Sequence, residues 1–126
     1  MKIHIEIVDN EEIKMRKGFG GADWWWEDDT LQIRVPKELP KKEAIALLMH
    51  EVAEALICLH LGIDVKDIDD YDLTHLEDER NPTFNSGDQP DDPYRIPHTY
   101  ATAVERIFAG IFDIDWVGYD ERLSKL

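Results

Sequence analysis

The fragment His50-Glu51-Val52-Ala53-Glu54 carries the residue types most suited to chemistry in this chain. It lies inside the run from Ala44 to Leu61, where nearly every side chain is apolar apart from His50, Glu51, Glu54 and His60. A helix that is hydrophobic almost all round belongs in a core, where acidic side chains are almost never buried without a partner. A metal ion is an economical partner for carboxylates beside an imidazole. His50 and Glu54 are four apart and project from one helix face, one turn above the other, with Glu51 beside that face. This is the geometry of the H-E-x-x-H zinc motif with glutamate in place of the second histidine.

A hydrolytic zinc needs three protein ligands and one open position. One helix turn supplies two, so the third must come from elsewhere. Of His4, His60, His75 and His98, the last is the best placed, because it follows a proline-rich stretch that could deliver it. The expected ligand set is therefore His50, Glu54 and His98 around Zn2+, with Glu51 as general base. Thr102 and Glu105 continue a polar stripe from His98 at i+4 and i+7. Glu105 lies about 10.5 Å along the axis from His98. That separation suits it to an imidazole N–H, or to Arg106 or Arg34, more than to the same ion. His60 and His75 read as surface residues, and Asp91 and Asp92 as rim or solvated loop groups.

The elements that must position these residues make an α+β fold, expected as a single domain over residues 1–126. Its small antiparallel or mixed sheet of about three N-terminal strands packs on two long helices. Ile3, Ile5 and Ile7 alternate with charged residues as in a half-buried strand over residues 2–8. Residues 11–16 are open between helix and strand. Gly18, Gly20 and Gly21 mark a turn and match no phosphate-cradling motif. Residues 22–26 and 31–35 read as strands about a polar turn. Trp24, Trp25 and Trp26 fall in the first of these, where covering a small sheet is the simpler role and a substrate ledge the alternative. Pro36 and Pro40 end the sheet, a long helix spans 41–61, and Gly62 stops it. Val65, Ile68, Tyr71 and Leu73 are spaced for a short amphipathic helix. Residues 80–97 read as a long loop with four prolines, the kind of segment that forms lids and rims. The second long helix is expected over 98–112, with Tyr100, Ala101, Val104, Ile107, Phe108, Ile111 and Phe112 as one apolar face. Residues 113–126 read as a tail anchored by Trp116 and Tyr119.

Composition bounds the function. Fourteen basic against twenty-eight acidic residues give a net charge of −14. That argues against nucleic-acid phosphates, whose affinity comes from lysine and arginine, and against anionic membrane surfaces. Solubility accounts for most such acidity, and a basic partner is the alternative. Cys58 is the single cysteine, so no disulfide forms within the chain, as in a reducing compartment. It reads as a core thiol. No 18-residue run is free of ionisable groups, so no spanning helix is expected, and the expected location is the cytoplasm.

The segments Leu48 to Cys58, Asp91-Asp92-Pro93-Tyr94 and His98 through Arg106 resemble small phage and prophage proteins of uncharacterised function, over roughly residues 20–120. The order strand, hairpin, H-E-bearing helix resembles a minimal zincin metallopeptidase. That resemblance implies His50 as ligand, Glu51 as catalytic base and a peptide or protein substrate; Glu54 is the departure. Glu51-x-x-Glu54 followed by Asp67-x-x-Asp70 also resembles the acidic constellation of the MazG-related nucleotide pyrophosphatases, which implies Mg2+. A third reading is a non-catalytic phage accessory protein whose metal joins two helices. Oligomeric state is left open.

Overall fold

The computed structural model describes residues 1–79, 81, 84 and 86–126. Residues 80, 82, 83 and 85, which fall in the segment expected as loop, lie outside the described residues. The fold is α+β. Strand β1 (Lys2–Val8), helix α1 (Asn10–Lys17), strands β2 (Asp23–Glu27) and β3 (Thr30–Pro36) precede the long helix α2 (Lys41–Leu61). Helices α3 (Val65–Thr74), α4 (Leu76–Glu79), a 3-10 turn (Ser86–Asp88), α5 (Arg95–Ile111) and α6 (Trp116–Ser124) follow.

The sheet has the order β1-β3-β2, with β1 parallel and β2 antiparallel to β3. Register sorts its side chains into two faces. Leu31, Ile33 and Val35 of β3 pair with Ile3, Ile5 and Ile7 on one side and, at Leu31 and Ile33, with Trp26 and Trp24 on the other. Helix α2 lies over β3 and β2, so Leu31, Ile33, Val35 and Trp24 are buried. The isoleucines of edge strand β1 stay 43–65% exposed, because α2 does not reach across to them. The opposite face holds Trp25, over which Arg16 and Arg34 stack at 4.1 and 5.2 Å from the ring centre.

Helix α2 begins after Pro40, whose carbonyl accepts from Ala44 N–H, and ends at Gly62 in the left-handed region (φ 71°). There Gly62 N–H and Ile63 N–H close onto the last carbonyls. Among the described residues α2 is the helix long and apolar enough to cross a membrane, with a mean hydropathy of 1.7. In this fold it packs on β3, β2 and α5, and His50, Glu51, Glu54 and Cys58 are buried.

Three expectations need correction. The second long helix starts at Arg95, not 98, because Pro97 sits in its first turn, where the missing N–H would have had no intrahelical acceptor. The tail over 113–126 is largely helix α6, with Tyr119 fully buried and Trp116 and Leu123 packed on the core; the i, i+3, i+7 spacing of these three overrides Gly118 within it. The broad apolar face of α5 is divided. Pro97, Ala101 and Ala109 are buried together with Glu105, whereas Tyr100, Ile107 and Ile111 are 61–68% exposed. Residues 11–16, open between helix and strand, lie within the helix α1.

Candidate metal centre

The α2–α5 contact is the largest helix–helix contact in the fold, and it brings His50 and Glu54 of α2 against His98 of α5. One donor atom from each of the three lies within 4.8 Å of the others. Glu54 Oε2 is the common point: His50 Nε2 is 3.2 Å away and His98 Nδ1 donates to it at 2.9 Å. The two rings meet edge to face, with centroids 4.8 Å apart. Two imidazole nitrogens and one carboxylate oxygen, borderline-soft and converging, are a donor set that suits a transition-metal ion such as zinc.

Each of the three candidate ligands is held from behind. The other ring nitrogen of His50, Nδ1, donates to Glu105 Oε1 at 2.8 Å. Glu105 also accepts a short hydrogen bond from the Tyr119 hydroxyl of α6. With Nδ1 committed in this way, Nε2 is the nitrogen that faces Glu54 and the cavity. Glu54 in turn accepts at Oε1 from the indole N–H of Trp24 at 2.9 Å, which leaves Oε2 for the histidines. His98 is fixed by shape. A Cβ on Gly87 would lie 2.2 Å from its ring, so only glycine lets the 3-10 turn press against that imidazole. The Tyr94 ring meets His98 edge-on, and Asp88 Oδ1 is 3.9 Å from its Nε2.

Burial and charge set the ionisation of the cluster. Burial by itself lowers the His50 pKa, but the hydrogen bonds to Glu105 and Glu54 prevail and push it up to about 11. Burial raises Glu54, yet its bonds from His50 and His98 prevail and hold it at about 2. Glu51 has no such help. It is 8% exposed, no hydrogen bond reaches it among the described residues, and burial, then the charge of Glu54, push it up to about 8. Burial likewise raises the Cys58 thiol to about 12, which makes it an inert core group.

The centre opens onto a cavity of about 1090 Å3, lined by His50, Glu51, Glu54, His98, Thr102 and Glu105, by Trp24 and by parts of α1, α3 and α6. Thr102 is half-buried on its wall. Other candidates lie elsewhere. His4 is exposed and bonded to Gln32, and His60 is exposed at the end of α2. His75 stacks on Tyr71 with centroids 4.0 Å apart. Asp67 and Asp70 of α3 are exposed, and Asp70 pairs with Lys66 at 2.9 Å. Asp91 is exposed, accepting from the Tyr71 hydroxyl, whereas Asp92 is buried rather than solvated. Arg106 lies over the Trp116 ring, and Arg34 reaches Glu6 at 3.7 Å; Glu105 serves His50 instead.

Three contributors escape sequence reasoning. Trp24 reads as sheet cover, although a buried indole N–H requires an acceptor and could have pointed to one. Tyr119 reads as an anchor, and its hydroxyl poses the same question. Gly87 is one loop glycine among several, and nothing local marks it. No protein-family model, no curated protein and no solved structure matches this chain.

Proposed function

We propose that this protein is a zinc-dependent hydrolase of the zincin type, with His50, Glu54 and His98 as ligands and Glu51 as general base. Peptide or other amide bonds are its expected substrates. The observation that carries this reading is the pairing of the convergent triad with a desolvated carboxylate one residue from His50, without a hydrogen bond among the described residues, both lining one cavity. A zinc ion in such a site supplies Lewis acidity to a water or carbonyl oxygen.

The chain's own residues divide the remaining work. Glu51, in its ionised form, accepts a proton from the attacking water and returns it to the leaving amine. Glu105 and Tyr119 keep His50 in the orientation that presents Nε2. Trp24 holds Glu54 so that one oxygen faces the site. The cavity is large enough to take an extended stretch of peptide beside these groups.

Metal content of protein purified without chelator tests the site. We expect about one zinc per chain, lost in both His50→Ala and His98→Ala. Glu51→Gln should keep the zinc and abolish cleavage of a quenched-fluorescence peptide library. Loss of zinc in Glu51→Gln would refute the role given to that residue. X-ray absorption showing four protein ligands would indicate a structural ion and overturn the hydrolase reading.

A further inference from the structure

The outer side of α5 carries apolar residues with nothing over them. Ile96, Tyr100, Ile107 and Ile111 are 55%, 62%, 61% and 68% exposed, and Ala103 between them is exposed as well. Their separations run four, three, four and four, so at about 100° per residue they form one stripe along the helix. This is the alternation that lets two helices pack along a seam. Isolated exposed hydrophobic residues need no explanation, but an aligned patch of several hundred Å2 marks an interaction site.

The stripe is symmetric about its middle. Reversing the direction of α5 about the point midway between Ala103 and Val104 exchanges Ile96 with Ile111 and Tyr100 with Ile107, and sets Ala103 about 1.5 Å along the axis from its own copy. The small residue at the crossing point permits close approach, and the large ones flank it on both sides. An isologous two-fold contact requires this arrangement, because each residue must meet its mirror position.

Charge supports the same occupant. Exposed Arg95 sits in the first turn of α5, and exposed Asp113 lies just past its C-terminal end. Both are placed against the dipole of their own helix, a cation at its positive end and an anion at its negative end. An antiparallel copy reverses both contacts and brings each arginine towards the other chain's aspartate.

We propose that two copies of this chain pair through α5, antiparallel, about a two-fold axis between Ala103 and Val104. The exposed side chains leave on the order of 100 Å2 each, so closing two copies buries roughly 1,000 Å2 in all. That is the lower edge of specific interfaces, and a weak, reversible dimer is the expected result. The stripe residues do not line the cavity, whereas His98, Thr102 and Glu105 on another side of the same helix do. Pairing therefore leaves the candidate metal centre open, and the proposal does not depend on the hydrolase reading.

Sedimentation equilibrium on the full chain across the micromolar range should show a reversible dimer, and Ile107→Glu should weaken it at least tenfold. Because a charge on α5 could also disturb folding, a second test uses single cysteines and a short bismaleimide. Ala103→Cys should cross-link to itself, Ile96→Cys alone should not, and the doublet Ile96→Cys with Ile111→Cys should. Cys58, 1% exposed, gives no background. A monomer at hundreds of micromolar would overturn the proposal, and so would a dimer indifferent to Ile107→Glu. Self-linking at Ile96 alone would indicate parallel pairing and reject the geometry. Co-sedimentation of a monomer with phosphatidylcholine vesicles, lost in Ile107→Glu, would assign the stripe to a lipid surface instead.

Discussion

Replacing Trp24 with phenylalanine isolates what the indole N–H does for the candidate metal centre. Trp24 is 8% exposed on the inward face of β2, and its Nε1–H donates to Glu54 Oε1 at 2.9 Å. Phenylalanine keeps an aromatic ring on the sheet but leaves that carboxylate oxygen buried without its donor. A hydrogen bond to a charged group contributes about 1.5–3 kcal/mol, and the smaller ring adds about 1 kcal/mol of lost packing. Urea denaturation in the presence of chelator should therefore show a loss of about 2–4 kcal/mol. Freed from its fixed orientation, Glu54 should also hold zinc about 10- to 100-fold more weakly, as happens when an outer partner of a metal ligand is removed. The assay is competition against a chromophoric chelator. Trp26→Phe is the control: it shares the same sheet face, two residues away, and makes no bond to Glu54. It should cost about 1 kcal/mol of stability and leave zinc affinity unchanged. Wild-type zinc affinity in Trp24→Phe, or an equal loss in Trp26→Phe, would refute the positioning argument.

Gly87→Ala should lower zinc affinity by at least tenfold, because the new methyl would lie 2.2 Å from the His98 ring and force it out of line; the same competition assay measures it, and the crystal structure of the variant should show the ring displaced. Asp92→Asn tests a buried carboxylate outside the ligand set. Burial, against a backbone hydrogen bond from Tyr94, raises Asp92 to about 6, and its Oδ2 is buried with no partner among the described residues. A carboxyl group with a raised folded-state pKa favours folding while it stays protonated, and that contribution is lost as pH rises from about 3.8 through about 6. The asparagine variant should accordingly match wild type near pH 4 and exceed it by on the order of 1–3 kcal/mol above pH 6. A stability difference that does not change over that window would show that the Asp92 charge is not what the fold disfavours.

Local patterns carried much of the architecture. The alternation of Ile3, Ile5 and Ile7, the polar turn after the tryptophans and the proline-to-glycine span of α2 are each decided by neighbours within one element. Patterns that depend on what lies opposite were less legible. The isoleucines of β1 have the period of a half-buried strand, yet they are exposed because α2 covers only the two strands beside them. Pro97 looks like the end of a loop until the helix is seen to begin before it, at a position where a missing N–H costs nothing. The apolar side of α5 is wider than the core it serves, and only burial separates Ala101 and Ala109 from Tyr100, Ile107 and Ile111.

For the candidate metal centre the division is sharper. The i, i+4 spacing of His50 and Glu54 puts them on one helix face whatever the rest of the chain does, since helix geometry is local. The apolar run around them dictates burial, and burial demands partners. Which partners arrive is a matter of long-range packing. His98 reaches Glu54 across 44 residues, Glu105 reaches His50 across 55, and Trp24 approaches from the sheet 30 residues before. Their meeting rests on the angle of α5 against α2 and on the register of β2 against β3, neither of which is written in any short stretch of residues. The sequence by itself determined that a histidine and two carboxylates must be accommodated inside the protein. The tertiary structure decided which two of the three face a second histidine and which one, Glu51, lies beside the cavity without a hydrogen bond among the described residues.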